Sequence, residues 1–132
     1  MARVRSGYHQ RGTSTIEFIL VFPSVLLVLF AIVELSRAWL TFSIVTAAAR
    51  EGARAGVVTS PFDPAPAIGR INSILRSSNV TPTSVTVTCS APCQPGSEVQ
   101  ANVAVTFSTL FPVFLPMLSA LPMQQSTSMR YE

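Results

Sequence analysis

Between Ile16 and Val33 the chain is apolar apart from Glu17, Pro23 and Ser24, and this run limits what the rest can become. As an α-helix it spans ~27 Å, close to the ~30 Å hydrocarbon core of a bilayer. A core helix of the same composition would need enough protein to surround it, and a chain of 132 residues has too little left. The run therefore reads as a membrane span. Arg3, Arg5 and Arg11 precede it with no acidic residue among them. By the positive-inside rule the N-terminus is cytoplasmic and the remainder faces outward.

A cleaved secretory signal also opens with a basic tail and an apolar run. Here the run is longer than a usual signal core, and no small-residue cleavage site follows it directly. The helical pattern continues instead through LSRAWLTFSIVTAAAREGARAG, which has no proline. Trp39 falls where the helix should leave the bilayer, a favoured depth for an amphipathic ring. Leu35, Ala38, Phe42, Val45, Ala49, Gly52 and Gly56 follow three-four spacing and form one stripe. Its side chains shrink toward the C-terminal end, where a partner can approach closely. Glu51 and Arg54, three apart, are placed to pair. The expectation is one helix over 13–57, spanning the membrane over about 16–35 and extramembrane beyond.

A small domain over 58–132 follows. TSPFDPAP, Thr59 to Pro66, carries three prolines and reads as a linker. Ala67 to Ser77 puts Ile68, Ile71, Ile74 and Leu75 on one face, as a short amphipathic helix would. Val85, Val87 and Cys89 alternate with polar residues, as do Val99, Ala101, Val103, Val105 and Phe107. SAPCQPGS between them supplies turn chemistry, so the two strands should form an antiparallel hairpin. LFPVFLPMLSALP is too short and too broken by proline for a second span and is expected to pack on the hairpin or the helix. Met123 to Tyr131 is a candidate last strand. The fold class is α+β: a long N-terminal helix, then a small domain with a short helix and an antiparallel sheet.

The 11% of charged residues, against roughly 25% in ordinary soluble domains, fits a chain partly committed to lipid. The net charge of +3 is spread over scattered arginines, without the clustered basic face that nucleic-acid binding requires. Cys89 and Cys93 lie in the part expected to face an oxidising compartment. A disulfide at the hairpin end is the expected role, and free buried thiols are the alternative. Two cysteines with no nearby histidine cannot fill a zinc shell. The one histidine, His9, sits in the N-terminal tail, which removes Ser-His-Asp and Cys-His catalysis from the outer domain. Asp63 and Glu98, its internal carboxylates, show no acid/base spacing. Asn79-Val80-Thr81 fits a sequon too common to carry weight. The sequence gives no sign of an enzyme, a metal site or a cofactor.

Gly12 followed by four residues, then Glu17 and Phe18 and a long apolar run, resembles the processing site of type IV pilin-like proteins. The stretch RGTSTIEFILVFPSVLLVLFAIVELSRAW, joined to AAREGARAG, is similar more narrowly to the TadE-like family of tight-adherence (Tad) pilus systems. The resemblance covers about Arg11 to Gly56, with Pro23, Glu34 and the AAREGAR segment adding to the motif. It implies a pilin-like fold and a minor pilin, or pseudopilin, that helps assemble or prime a pilus and supports adhesion. It also implies that a prepilin peptidase cuts between Gly12 and Thr13, releasing a basic leader over 1–12. The implied partners are other pilin-like subunits, the inner-membrane assembly platform and membrane lipid, with no nucleic acid. The implied location is the bacterial inner membrane, single-pass, with the outer domain periplasmic or carried into the pilus. The chain departs from better-known pilins in beginning its processed form with Thr13 instead of a large apolar residue. An uncleaved single-span scaffold of a secretion or pilus complex is the other reading.

Within that resemblance Glu17 and Phe18 are the candidate docking residues. Cleavage would expose the amine of Thr13, largely protonated near neutral pH. Glu17 is placed to pair with it in its own chain, one helical turn away, or in a neighbouring subunit; otherwise it sits at headgroup depth and reaches water. An acid within a span is a functional hypothesis by default. Pro23 removes the hydrogen bond to the carbonyl of Ile19 and is expected to kink or loosen the helix. Glu34, at the far end of the span, is expected to be open to water.

Overall fold

The computed structural model describes residues 13–110 and 120–130. Helix α1 runs Thr13–Val58, helix α2 Pro64–Ser77, and strands β1 Pro82–Cys89, β2 Glu98–Ser108 and β3 Ala120–Arg130 follow. The architecture is α+β, with both helices and both hairpin strands close to the expected bounds. The segment between β2 and β3 expected to pack on the hairpin lies, over 111–119, outside the described residues, as do the leader and Tyr131.

The chain divides into two compact units, Met1–Leu35 and Ser36–Glu132. Described residues of the first belong to α1, the one described helix long and apolar enough to cross a membrane. Its large apolar side chains are exposed: Leu20 is 76% and Ile16 67% accessible. Transferring one such side chain out of water is worth about 1.5–3 kcal/mol, so leaving this surface in water would be costly. Further along α1, hydroxyls are turned back on the helix. Thr41, Ser43 and Thr46 donate to the carbonyls of Arg37, Trp39 and Phe42 at 3.0, 2.9 and 2.8 Å.

In the second unit, α1, α2 and one face of the sheet share a core. Val45, Ala48, Ala49 and Ala53 of α1 meet Ala67, Ile71 and Leu75 of α2 and the inward residues of β1 and β2. The small side chains let the layers close. A methyl group on Gly52 would overlap the side chain of Ile71, and one on Gly56 would lie 3.1 Å from Val99 Cγ1. The expected stripe is buried at Val45, Ala49, Gly52 and Gly56, whereas Leu35 and Phe42 are exposed, since the shared core takes in α1 only from Val45 onward.

Helix α2 begins three residues before its expected start because Asp63 caps it. The Asp63 carboxylate accepts from Ala65 N–H at 2.9 Å, and Pro64 occupies the first turn, where its missing N–H is no loss. The helix stops at Asn79, whose φ of 55° suits an asparagine. Val80 N–H then reaches the Leu75 carbonyl at 2.9 Å and Asn79 N–H the Arg76 carbonyl at 3.1 Å, the paired bonds of a Schellman motif. The face actually buried is Ala67, Ile71 and Leu75, with Ile68 and Ile74 on its flanks. Glu51 turns toward this helix and meets Arg70 at 3.4 Å, in place of the expected pairing with Arg54.

The sheet is antiparallel in the order β1-β2-β3. Strict alternation puts Val99, Ala101, Val103, Val105 and Phe107 inward and leaves Gln100, Asn102 and Thr106 on the outer face. The β1–β2 turn is closed by Ser97 N–H to the Gln94 carbonyl at 2.9 Å and by Gly96 at φ 96°. Cys89 and Cys93 are joined there, with Cα atoms 5.7 Å apart. Serine at both positions should lower the stability of the second unit by about 2 kcal/mol in the chain-entropy view. Thermal unfolding by circular dichroism measures this; an unchanged midpoint would show that the link adds nothing.

Candidate functional site

Thr13 is the first residue of α1, and Gly12, the other side of the expected cut, lies outside the described residues. Glu17 falls one turn into the helix and is exposed. Phe18 beside it is 64% accessible, and its ring stacks on that of Phe22 at 5.2 Å. The spacing of four residues brings the two rings onto one face. The N-terminal turns of α1 thus present a carboxylate flanked by open aromatic and aliphatic surface.

Pro23 lies within α1, and the helix continues through it. Its ring leaves the Ile19 carbonyl without an N–H donor. Ser24 Oγ donates to the Val21 carbonyl at 2.7 Å and reaches that of Leu20 at 3.4 Å, neither of which is the carbonyl that the proline leaves without a donor. A hydroxyl directly after the proline is therefore satisfied within the helix and adds no unpaired polar group to the span.

Glu34 corrects an expectation. It is buried, only 6% accessible, and engaged, so it is not the water-exposed acid that its place at the end of the apolar run suggested. Nothing in the local spacing distinguishes it from Glu17; burial depends on what folds against it.

The disulfide belongs to the second unit and shares no element with Glu17 or Phe18. It braces the turn after β1, and its sulfurs are unavailable as ligands or nucleophiles. Among the described residues no three His, Cys, Asp or Glu side chains come together to hold a metal ion. Sequence reasoning missed two features of the second unit. One is the Glu51–Arg70 pair, which depends on how α2 packs. The other is the setting of Arg37, whose guanidinium lies 5.3 Å from the ring centroid of Phe107. The only advance signal for Arg37 was its place just beyond the apolar run.

No curated protein and no solved structure matches the chain. A family model does match, over residues 12–54, and its description is TadE-like protein. The match begins at Gly12, takes in Glu17, Phe18, Pro23 and Glu34, and ends with Arg54, the last residue of the AAREGAR segment; the residues from Ala55 onward lie beyond it. Residues 12–54, less than half of the chain, are thus similar to the TadE-like family, which is associated with Tad pilus systems.

Proposed function

We propose that the chain is a minor pilin, or pseudopilin, acting in the assembly or priming of a Tad-type type IV pilus and supporting adhesion. The observation that carries this reading is the family match, which starts at Gly12 and continues through the entire apolar run. The exposed apolar surface of α1 adds to it, since a helix of that kind needs lipid or other helices around it. In this reading a prepilin peptidase removes the leader between Gly12 and Thr13 on the cytoplasmic side of the inner membrane. The outer domain faces the periplasm. The assembly platform and other pilin-like subunits then engage the N-terminal turns of α1, where Glu17 and Phe18 provide a charge and an aromatic contact. Pro23 loosens the helix, which aids packing in a bundle of such helices.

Intact-mass measurement of membrane-extracted protein tests the reading. The mature species should lack Met1 to Gly12. Gly12→Val, which sets a β-branched side chain beside the cut, should leave the leader attached in nearly all molecules. A native protein that retains its leader would favour the uncleaved scaffold, and normal processing of the valine variant would rule out Gly12 as the site.

A further inference from the structure

The sheet order β1-β2-β3 gives β3 a neighbour on one side only among the described strands. Its other edge carries a row of backbone N–H and C=O groups that no described strand pairs. Proteins protect such edges with charge, proline, a bulge or a short strand. The β1 edge has that protection: the strand has 8 residues, opens with Pro82 and shifts register between Pro82 and Ser84. Strand β3 has 11 residues and keeps its register with β2 from Ala120 to Arg130. Its proline and its one charge, Pro122 and Arg130, stand near its two ends. The stretch between them, MQQSTSM from Met123 to Met129, has neither. It leaves ~23 Å of unprotected edge.

This stretch reads almost the same in both directions. About Ser126, Met123 mirrors Met129, Gln124 mirrors Ser128 and Gln125 mirrors Thr127, and Pro122 and Arg130 are equidistant from the same centre. Two copies paired antiparallel across a two-fold axis at Ser126 therefore set matching residues opposite one another. The pairing also keeps the faces, since Met123, Gln125, Thr127 and Met129 are half-buried on the core side while Gln124, Ser126 and Ser128 are exposed on the other. Met123 and Met129 pack against the core without being fully covered. In the pair, each Met123 meets Met129 of the second copy with Cβ atoms ~5 Å apart, and both inner faces gain apolar cover. Arg130 of one copy lies opposite Pro122 of the other, eight residues from its own counterpart. That is ~27 Å, well beyond the ~8 Å screening length at physiological salt, so the two guanidiniums do not oppose the pairing. Proline, which lacks an N–H, falls at the ends of the ribbon, where a missing bond costs least.

We propose that β3 is a self-association edge: two copies of this chain join β3 to β3, antiparallel about Ser126, and their three-stranded sheets become one sheet of six. Backbone hydrogen bonds across the new ribbon hold the copies together, and the methionine pairs fix the register. The same patch serves on both sides, so the contact closes at two copies. The inference uses the second unit alone and is independent of the pilus reading.

Cross-linking of the full-length protein in detergent tests it. The two native cysteines are joined to each other, so an added cysteine is the one free thiol. Ser126→Cys should form a covalent dimer under mild oxidation, because the residue faces its own counterpart across the axis at a distance a disulfide can span. Gln124→Cys and Ser128→Cys should each stay monomeric alone and link when mixed. Ser126→Lys puts like charges opposite each other and should weaken the dimer about fivefold in sedimentation, and mixing it with Ser126→Glu should restore the affinity. Thr86→Lys, exposed on the same face but two strands away on β1, should leave the dimer unchanged. Absence of a covalent dimer from Ser126→Cys would overturn the proposal. Equal linking by Gln124→Cys alone would mean random collision, and would overturn it as well. A dimer that Ser126→Lys leaves undiminished would assign the association to the apolar run and remove β3 from the account.

Discussion

Gly52→Val should lower the thermal midpoint of the outer domain by roughly 10–20 °C, the largest stability effect expected from any single substitution in α1. Even a single methyl group at this position falls within the side chain of Ile71. Ile71 is fully buried, so it has no open space into which to retreat. Overpacking a close-packed core usually costs about 1–3 kcal/mol, and a branched side chain against a fixed neighbour lies at the upper end of that range. Replacing glycine inside a helix returns roughly 0.5 kcal/mol, too little to offset the clash. Gly69→Ala is the matching control. It lies on α2 with open space around it, so it should raise stability by up to about 1 kcal/mol. Adding Ile71→Ala to Gly52→Val should restore part of the loss, because the cavity left by one change accepts the other. Calorimetry of the four proteins decides the matter. A valine variant that melts with the parent would mean that α1 and α2 do not pack through this position.

The parts of this chain that the sequence made legible are those set by short-range patterns. The apolar run, the two hairpin strands and the length of α1 follow from periodicity and from where proline is absent. The disulfide follows from two cysteines flanking a turn. What escaped prediction depends, with one exception, on long-range packing. Helix α2 begins early because Asp63 and Pro64 form a cap, a local signal that was present but was read as linker. Glu51 prefers Arg70 to Arg54 because α2 lies against that face, and no spacing on α1 reveals it. Glu34 is buried although it ends an apolar run, so a membrane-boundary argument alone misplaced it. The N-terminal motif was readable for a different reason. Its residues stand in a short linear pattern, and the family match over 12–54 covers the same stretch while leaving the residues from Ala55 onward uncovered.

Glu17→Gln should abolish piliation while leaving membrane insertion and leader removal intact. Glutamine keeps the size of the side chain and loses only its charge, so the span becomes easier to insert. The helix already exposes Glu17, and no packing in the outer domain depends on it. If the carboxylate recruits the N-terminal amine of a neighbouring subunit, the substitution leaves that amine alone in a low-dielectric setting. Removing one partner of such a pair costs about 3–5 kcal/mol, enough to reduce association by more than a hundredfold. Co-purification with other pilin-like subunits should then fall to background, and filaments should disappear from the cell surface. Glu34→Gln is no control, because Glu34 is buried and engaged and its loss would disturb other contacts. Glu98→Gln serves instead, since Glu98 is exposed at the start of β2 and lies outside the family match. Two results would remove Glu17 from the docking role. One is a Glu17→Gln strain that assembles pili as the parent does. The other is equal loss of assembly in Glu98→Gln, which would trace the defect to charge in general instead of to the residue at the start of the span.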